Sequence, residues 1–229
     1  VLMDICLADL WQINKRYLND SKIVEKSVRE QPITKTKAEE QSLNDQSLYF
    51  RTLNLTTHTF NENETSYYLK SIGGYHPAKL RRYQELVEAY IHPEMNKIYG
   101  AVAQAGGDIT QVNGDSSLPV PNTLNAKYFI LPLQNGQQVP LQNPYVHGNA
   151  WFVDNVKYVD NANEELDMLG KLSLRHEAVA DKRFAEILGK SVPQDSTSIV
   201  TLTAYDANEL KYDVNSATGG IIVFSDIYY

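Results

Sequence analysis

KYFILPL, residues Lys127 to Leu133, is the stretch on which the fold turns. Its short, nearly continuous apolar run predicts a buried central strand. Upstream, GGDITQVNGDSSLPVPN (Gly106 to Asn122) is a Gly/Pro/Asn/Ser loop of a length that tends to be functional or mobile. Downstream, NGQQVPLQNP (Asn135 to Pro144) reads as a turn-rich connection, and AWFVDNVKYV (Ala150 to Val159) as another strand. Asn161 or Asn163 then caps a helix, NEELDMLGKL, whose Glu164 and Glu165 suit the positive end of its dipole. A short helix at Lys182 to Leu188 and the turn SVPQDS close this region.

Further out, SIVTLTAY, LKYDVNS and IIVFSDIYY are strand-like runs separated by DANE and ATGG, the pattern of an antiparallel meander. Leu210, Tyr212 and Val214 share one face, which needs a packing partner, so residues 191–229 are expected to be part of a β-sandwich. Toward the start, LYFRTLNLT (Leu48 to Thr56) alternates like a half-buried strand. Residues 21–47 form a polar arm, interrupted by Pro32, with a short helix near Ala38 to Leu43. Residues 1–20 carry helical spacing, with Leu2, Ile5, Leu10, Ile13 and Tyr17 roughly on one side. The expected class is α+β: mixed helices and short strands over 48–190, followed by the antiparallel strands.

SIGGYHPAKLRRYQELVEAY, Ser71 to Tyr90, breaks a local rule. Leu80, Tyr83, Leu86, Val87, Tyr90 and Ile91 define an apolar helix face, with Pro77 in the first turn and Gly73 and Gly74 permitting the turn before it. Lys79, Arg81 and Arg82 crowd the end where the dipole is positive, at a cost of about 0.3 to 1 kcal/mol per charge. Tyr75, His76, Lys79, Arg81, Arg82 and Tyr83 could together hold a phosphate or carboxylate. The competing reading pairs Arg81 with Glu85 at i,i+4 and leaves the other cations in solvent. Asn149, Trp151 and Tyr158 are candidates for stacking a sugar, against the alternative of a core Trp on a strand.

Composition narrows the chemistry. The 229 residues carry a formal charge of −7, which argues against duplex nucleic acid as a partner. Fifteen tyrosines against 6 Phe and 2 Trp suit strands, polar interfaces and sugar-binding surfaces. The single Cys6 excludes a disulfide within the chain. His58, His76, His92, His147 and His176 lack zinc-site spacing, and there is no GxSxG, P-loop or GxGxxG; no catalytic residue, metal or cofactor is expected.

Several segments together resemble the extracytoplasmic, C-terminal region of the bacterial YfhO family of polytopic membrane proteins: DLWQINKRYLND (Asp9 to Asp20), YFRTLNL (Tyr49 to Leu55), SYYLKSIGGYHPAKLRRYQELVE (Ser66 to Glu88), LNAKYFI (Leu124 to Ile130), the Asn143 to Val153 segment containing HGNAWFV, and VDNANEEL (Val159 to Leu166). The IGGYHPAKLRRYQ segment is the most specific, and the terminal VFSDIYY resembles the family's strand before a Pro-Gly-Trp turn. The chain departs from the pattern at Leu69, where the family implies His, and at Pro77, where it implies Ala. The resemblance implies a domain on the outer side of the bacterial cytoplasmic membrane, with Val1 to Leu10 the tail of a membrane helix. The family is similar to GT-C glycosyltransferases that use polyprenyl-phosphate-linked sugars to modify cell-envelope glycans, with catalytic acids in loops between early membrane helices. The implied role is therefore non-catalytic, in contact with the membrane-spanning remainder of the chain and a lipid-linked sugar or envelope glycan. A purely structural cap and a free glycan-binding module are the alternatives.

Overall fold

The computed structural model describes residues 2–30, 33–106, 117–133, 135–189 and 197–227, in two compact units, Val1–Lys35 and Thr36–Tyr229. In the first unit, helix α1 (Leu2–Tyr17) has Asp4 in its first turn and Lys15 and Arg16 in its last, the order that complements the dipole. Met3, Leu7, Trp11 and Tyr17 on this helix are exposed. A 3-10 turn, Asp20–Lys22, capped by the Asn19 side chain, leads to α2 (Lys26–Glu30). Among the described residues no helix is long and apolar enough to cross a membrane.

The second unit is α+β and starts at Thr36, so the polar arm expected over 21–47 is divided between the two. Thr36 and Glu39 form a reciprocal capping box that starts α3 (Lys37–Leu43). Strand β1 (Arg51–Asn54) lies parallel to β2 (Ala126–Pro132), which lies antiparallel to β3 (Gln138–Gln142). The central position of β2 explains its composition. Phe129 and Leu131 enter a core with Leu53, Val87, Ile91 and Leu118, while Ile130 enters a separate cluster with Ala38 and Leu69. Both faces are covered, so polar alternation is missing.

Three findings revise the expected elements. The connection at Asn135–Pro144 contains β3: Gly136, at φ 77°, supplies the turn, and Pro140 is tolerated because β3 is a sheet edge. The run Ala150–Val159 is two strands. Here β4 (Ala150–Val153) and β5 (Asn155–Val159) part at Asp154, and β5 pairs in parallel with β6 (Glu177–Asp181). Finally, β7 (Ile199–Asp206) and β8 (Glu209–Asn215) form a hairpin, but the next strand, β9 (Ile221–Phe224), pairs antiparallel with β4 instead of extending it. The turn at 191–196 lies outside the described residues, as does most of the Gly106–Asn122 loop.

After the short helix α4 (Thr65–Tyr68), the helix expected from Pro77 through Ile91 is part of a longer run: α5 (Arg81–Leu86), a π-turn (Val87–Ile91) and α6 (His92–Gln104). Pro93 accounts for the π-turn. It lacks an N–H, and its ring would strike the carbonyl four residues back, so the chain widens and His92 N–H bonds Val87 O. The run starts at Arg81, not near Pro77, because the preceding backbone is engaged elsewhere. Ile72 N–H bonds Thr52 O along the free edge of β1, Gly74 N–H bonds Thr59 O, and Tyr75 N–H bonds Glu62 O. A Cβ on Gly73 would sit 2.0 Å from Thr59 O, so only glycine permits this approach.

Candidate functional site

The Gly-Gly-Tyr-His turn presents part of the basic segment outward. Tyr75, His76, Arg81 and Arg82 are exposed. His76 is steadied by its own turn, its Nδ1 accepting the Ala78 N–H at 3.1 Å. Arg81 Nε donates to Glu85 Oε1 at 2.8 Å, the i,i+4 pair of the competing reading, on a side chain that is 93% exposed. Lys79 is half-buried, with its ammonium 5.2 Å from the Phe60 ring centroid. Tyr83 points inward and donates its hydroxyl to Ile72 O at 2.5 Å. Burial pushes the Tyr83 phenol well above its ordinary range, with Arg51 pulling weakly the other way, so it stays a neutral donor. No acidic side chain occupies the first turn of α5. Tyr75, His76, Arg81 and Arg82 are thus each exposed on this segment, whereas Tyr83 fastens it to β1's flank.

The sugar-stacking candidates separate. Trp151 is only 3% exposed, its Nε1–H donates to Leu174 O at 3.1 Å and His147 packs edge-on against it at 4.8 Å. It presents no open face to a sugar; the β4 pattern that suggested a platform is a core position shared with Val153 and Val156. Asn149 accepts from Asn125 Nδ2 at 2.9 Å. Tyr158 lies on β5 and gives its hydroxyl to Gly189 O at 2.9 Å. Asn149 and Trp151 nevertheless border the same cleft, about 760 Å³ in volume, and Tyr158 does not.

That cleft also gathers residues the sequence did not single out: Asp154, Arg175 and His176. At the break between β4 and β5, Asp154 N–H bonds His176 O at 2.7 Å, and the His176 Nδ1 lies 3.2 Å from Asp154 Oδ2. Arg175 donates through Nη1 to His147 O at 3.1 Å. Burial, reinforced by Arg175 and then His176, lowers the His147 pKa to about 4, leaving a neutral ring at pH 7. Asp154 and His176 are 22 positions apart and meet only through the parallel β5–β6 pairing, which has no local sequence signal. Among the described residues no group of three or more His, Cys, Asp and Glu is arranged to hold a metal ion.

Comparison with known proteins adds no relative: no family model, curated protein or solved structure matches the chain.

Proposed function

We propose that this chain is the extracytoplasmic part of a bacterial multi-pass membrane glycosyltransferase of the YfhO type, and that its α+β unit handles the anionic lipid-linked sugar without catalysing transfer. The observation that carries this reading is the exposure of Tyr75, His76, Arg81 and Arg82 on one segment whose following helix has no acid in its first turn. An exposed guanidinium recognises phosphate oxygens by charge-assisted, geometrically fixed hydrogen bonds. Catalytic acids, a polyprenyl-phosphate donor and the membrane-spanning remainder belong to the proposal through the sequence resemblance.

The test is substitution of Lys79, Arg81 and Arg82 by Gln in the whole protein, measuring transfer of sugar from lipid-linked donor to envelope glycan. Transfer should fall while expression and melting temperature hold. Unchanged transfer by a normally folded variant refutes the reading. A structural cap is the second reading, favoured by Lys79 on Phe60 and by the inward Tyr83. It requires the same substitutions to lower stability instead.

A further inference from the structure

We propose that the cleft bordered by β4 and β7 binds a neutral pyranose unit of a glycan, with Asp154, His176 and Arg175 as its polar contacts and Leu48, Phe152 and Ile199 as its apolar ones. All six residues line the cleft. Leu48 and Ile199 are 54% and 58% exposed, apolar side chains that folding leaves open, and Phe152, half-buried, also lines the cleft. A pyranose ring matches such a wall with its C–H face and matches a row of polar side chains with its hydroxyl edge; pockets for small ligands combine the two in this way.

The polar side is held in place before any ligand arrives. The backbone bond from Asp154 to His176 O fixes the two residues together, and their side chains meet at 3.2 Å. With Nδ1 turned to the carboxylate, the other ring nitrogen of His176 is left for a hydroxyl. Asp154 keeps 49% of its side chain exposed, so the carboxylate remains accessible as an acceptor. Arg175 is tethered by its bond to His147 O, and its side chain is exposed, with further guanidinium donors besides the one used. The charges of Asp154 and Arg175 offset each other, which favours a neutral ligand: a phosphate or carboxylate attracted by Arg175 would also meet Asp154. The volume, about 760 Å³, is in the range of small-ligand clefts.

This deepens the glycan-handling reading by assigning the sugar a place. Its test is direct binding, so it fails or holds independently of the transfer assay on the basic segment. The 229-residue chain is to be probed by saturation-transfer NMR with the methyl pyranosides of glucose, galactose, mannose and N-acetylglucosamine, with glucuronic acid as the anionic comparison and trialanine as the peptide comparison. At least one neutral pyranoside should receive saturation. Binding should weaken about tenfold or more in Asp154→Asn combined with Arg175→Gln, the effect of losing charged hydrogen bonds. Thr201→Arg, on an exposed cleft-lining residue of β7, should obstruct the cleft while leaving the polar side intact. The proposal is overturned if no neutral pyranoside gives a signal, if only glucuronic acid or trialanine does, or if the signal persists undiminished in both variants with circular dichroism unchanged.

Discussion

Loss of the Arg51 guanidinium should cost the α+β unit heavily. The Arg51 side chain is 11% exposed and makes three bonds: Nη1 donates to Leu124 O at 3.0 Å and to Ser225 O at 2.8 Å, and Nη2 to Asp226 Oδ1 at 2.8 Å. One side chain on β1 thereby ties together the start of β2 and the segment just after β9. Asp226 Oδ1 also accepts the Tyr49 hydroxyl at 3.1 Å, but Arg51 is the cation paired with it, and Asp226 Oδ2 is buried without a hydrogen-bond partner among the described residues. Substituting Arg51→Met keeps most of the apolar stem and removes the guanidinium, stranding a partly buried carboxylate and two carbonyls. Breaking such a pair from one side costs about 3 to 5 kcal/mol. At 2 to 4 °C per kcal/mol for a domain this size, the melting temperature should drop by roughly 10 °C. Asp226→Leu alone should also destabilise, but the double variant Arg51→Met/Asp226→Leu should lose clearly less than the sum, since neither charge is left behind. Calorimetric melts of the four proteins measure both quantities. A loss below about 1 kcal/mol for Arg51→Met, or strict additivity in the double variant, would refute the assignment of this pair as a shared buried unit.

Gly73→Ala should lower stability by roughly 1 to 3 kcal/mol, read from urea unfolding, because the new methyl would meet the Thr59 carbonyl, which is backbone and yields poorly. His147 has its pKa depressed to about 4 from an ordinary 6.5, chiefly by burial, so its neutral form contributes stability above pH 6.5 that is lost as pH falls toward 4. Melting temperature followed over that interval should decline less steeply in His147→Gln. Asp45 acts at lower pH: burial raises its pKa, but hydrogen bonds from Lys127, Tyr128 and Ser47 outweigh this and hold it well below the carboxylate range. Its contribution is present above about pH 4 and lost below, so Asp45→Asn should flatten the acid limb of the stability curve without changing the interval governed by His147.

What was legible in the sequence followed local pattern. KYFILPL declared a strand covered on both faces because Phe129 and Ile130 each needed an apolar neighbour on opposite sides. The Asn161 cap was visible because its side chain acts only three residues away, on the Glu164 N–H. Pairing was not visible. IIVFS reads equally well as the third strand of a meander and as the partner of AWFV, and which partner it takes is decided by Trp151 and Val153 packing with Ile221 and Val223. EAVAD passed unnoticed as β6 because its two alanines carry little β-signal, yet they line the parallel pairing with Asn155–Val159. The cleft shared this fate. Asp154 and His176 are unremarkable apart from each other, and the break between β4 and β5 that joins them is a property of two sheets meeting.

The reversed charge order at Arg81 and Arg82 also changes meaning once its cost is weighed. Two cations at a helix start forfeit about 0.3 to 1 kcal/mol each. The Arg81–Glu85 pair at 2.8 Å returns a few tenths of that. Meanwhile the same run is anchored by Val87, Ile91 and Met95 in the core and by Tyr83 on Ile72 O, which together outweigh the penalty several times over. The fold therefore tolerates the inversion without a ligand, and a broken dipole rule by itself requires no anion. What favours a phosphate is instead where the cations are. If they served the fold, core anchoring would draw them inward as it draws Tyr83; Arg81 and Arg82 at the helix start stay exposed, as do Tyr75 and His76 on the preceding turn, which the Gly74 and Tyr75 backbone bonds hold in place. Charge reversal at Arg82, Arg82→Glu, separates the two ideas. It should improve the local dipole and leave melting temperature level or slightly higher, while reducing sugar transfer by the whole protein below that of Arg82→Gln. A variant that transfers sugar as well as the parent would show that the exposed cations face only water.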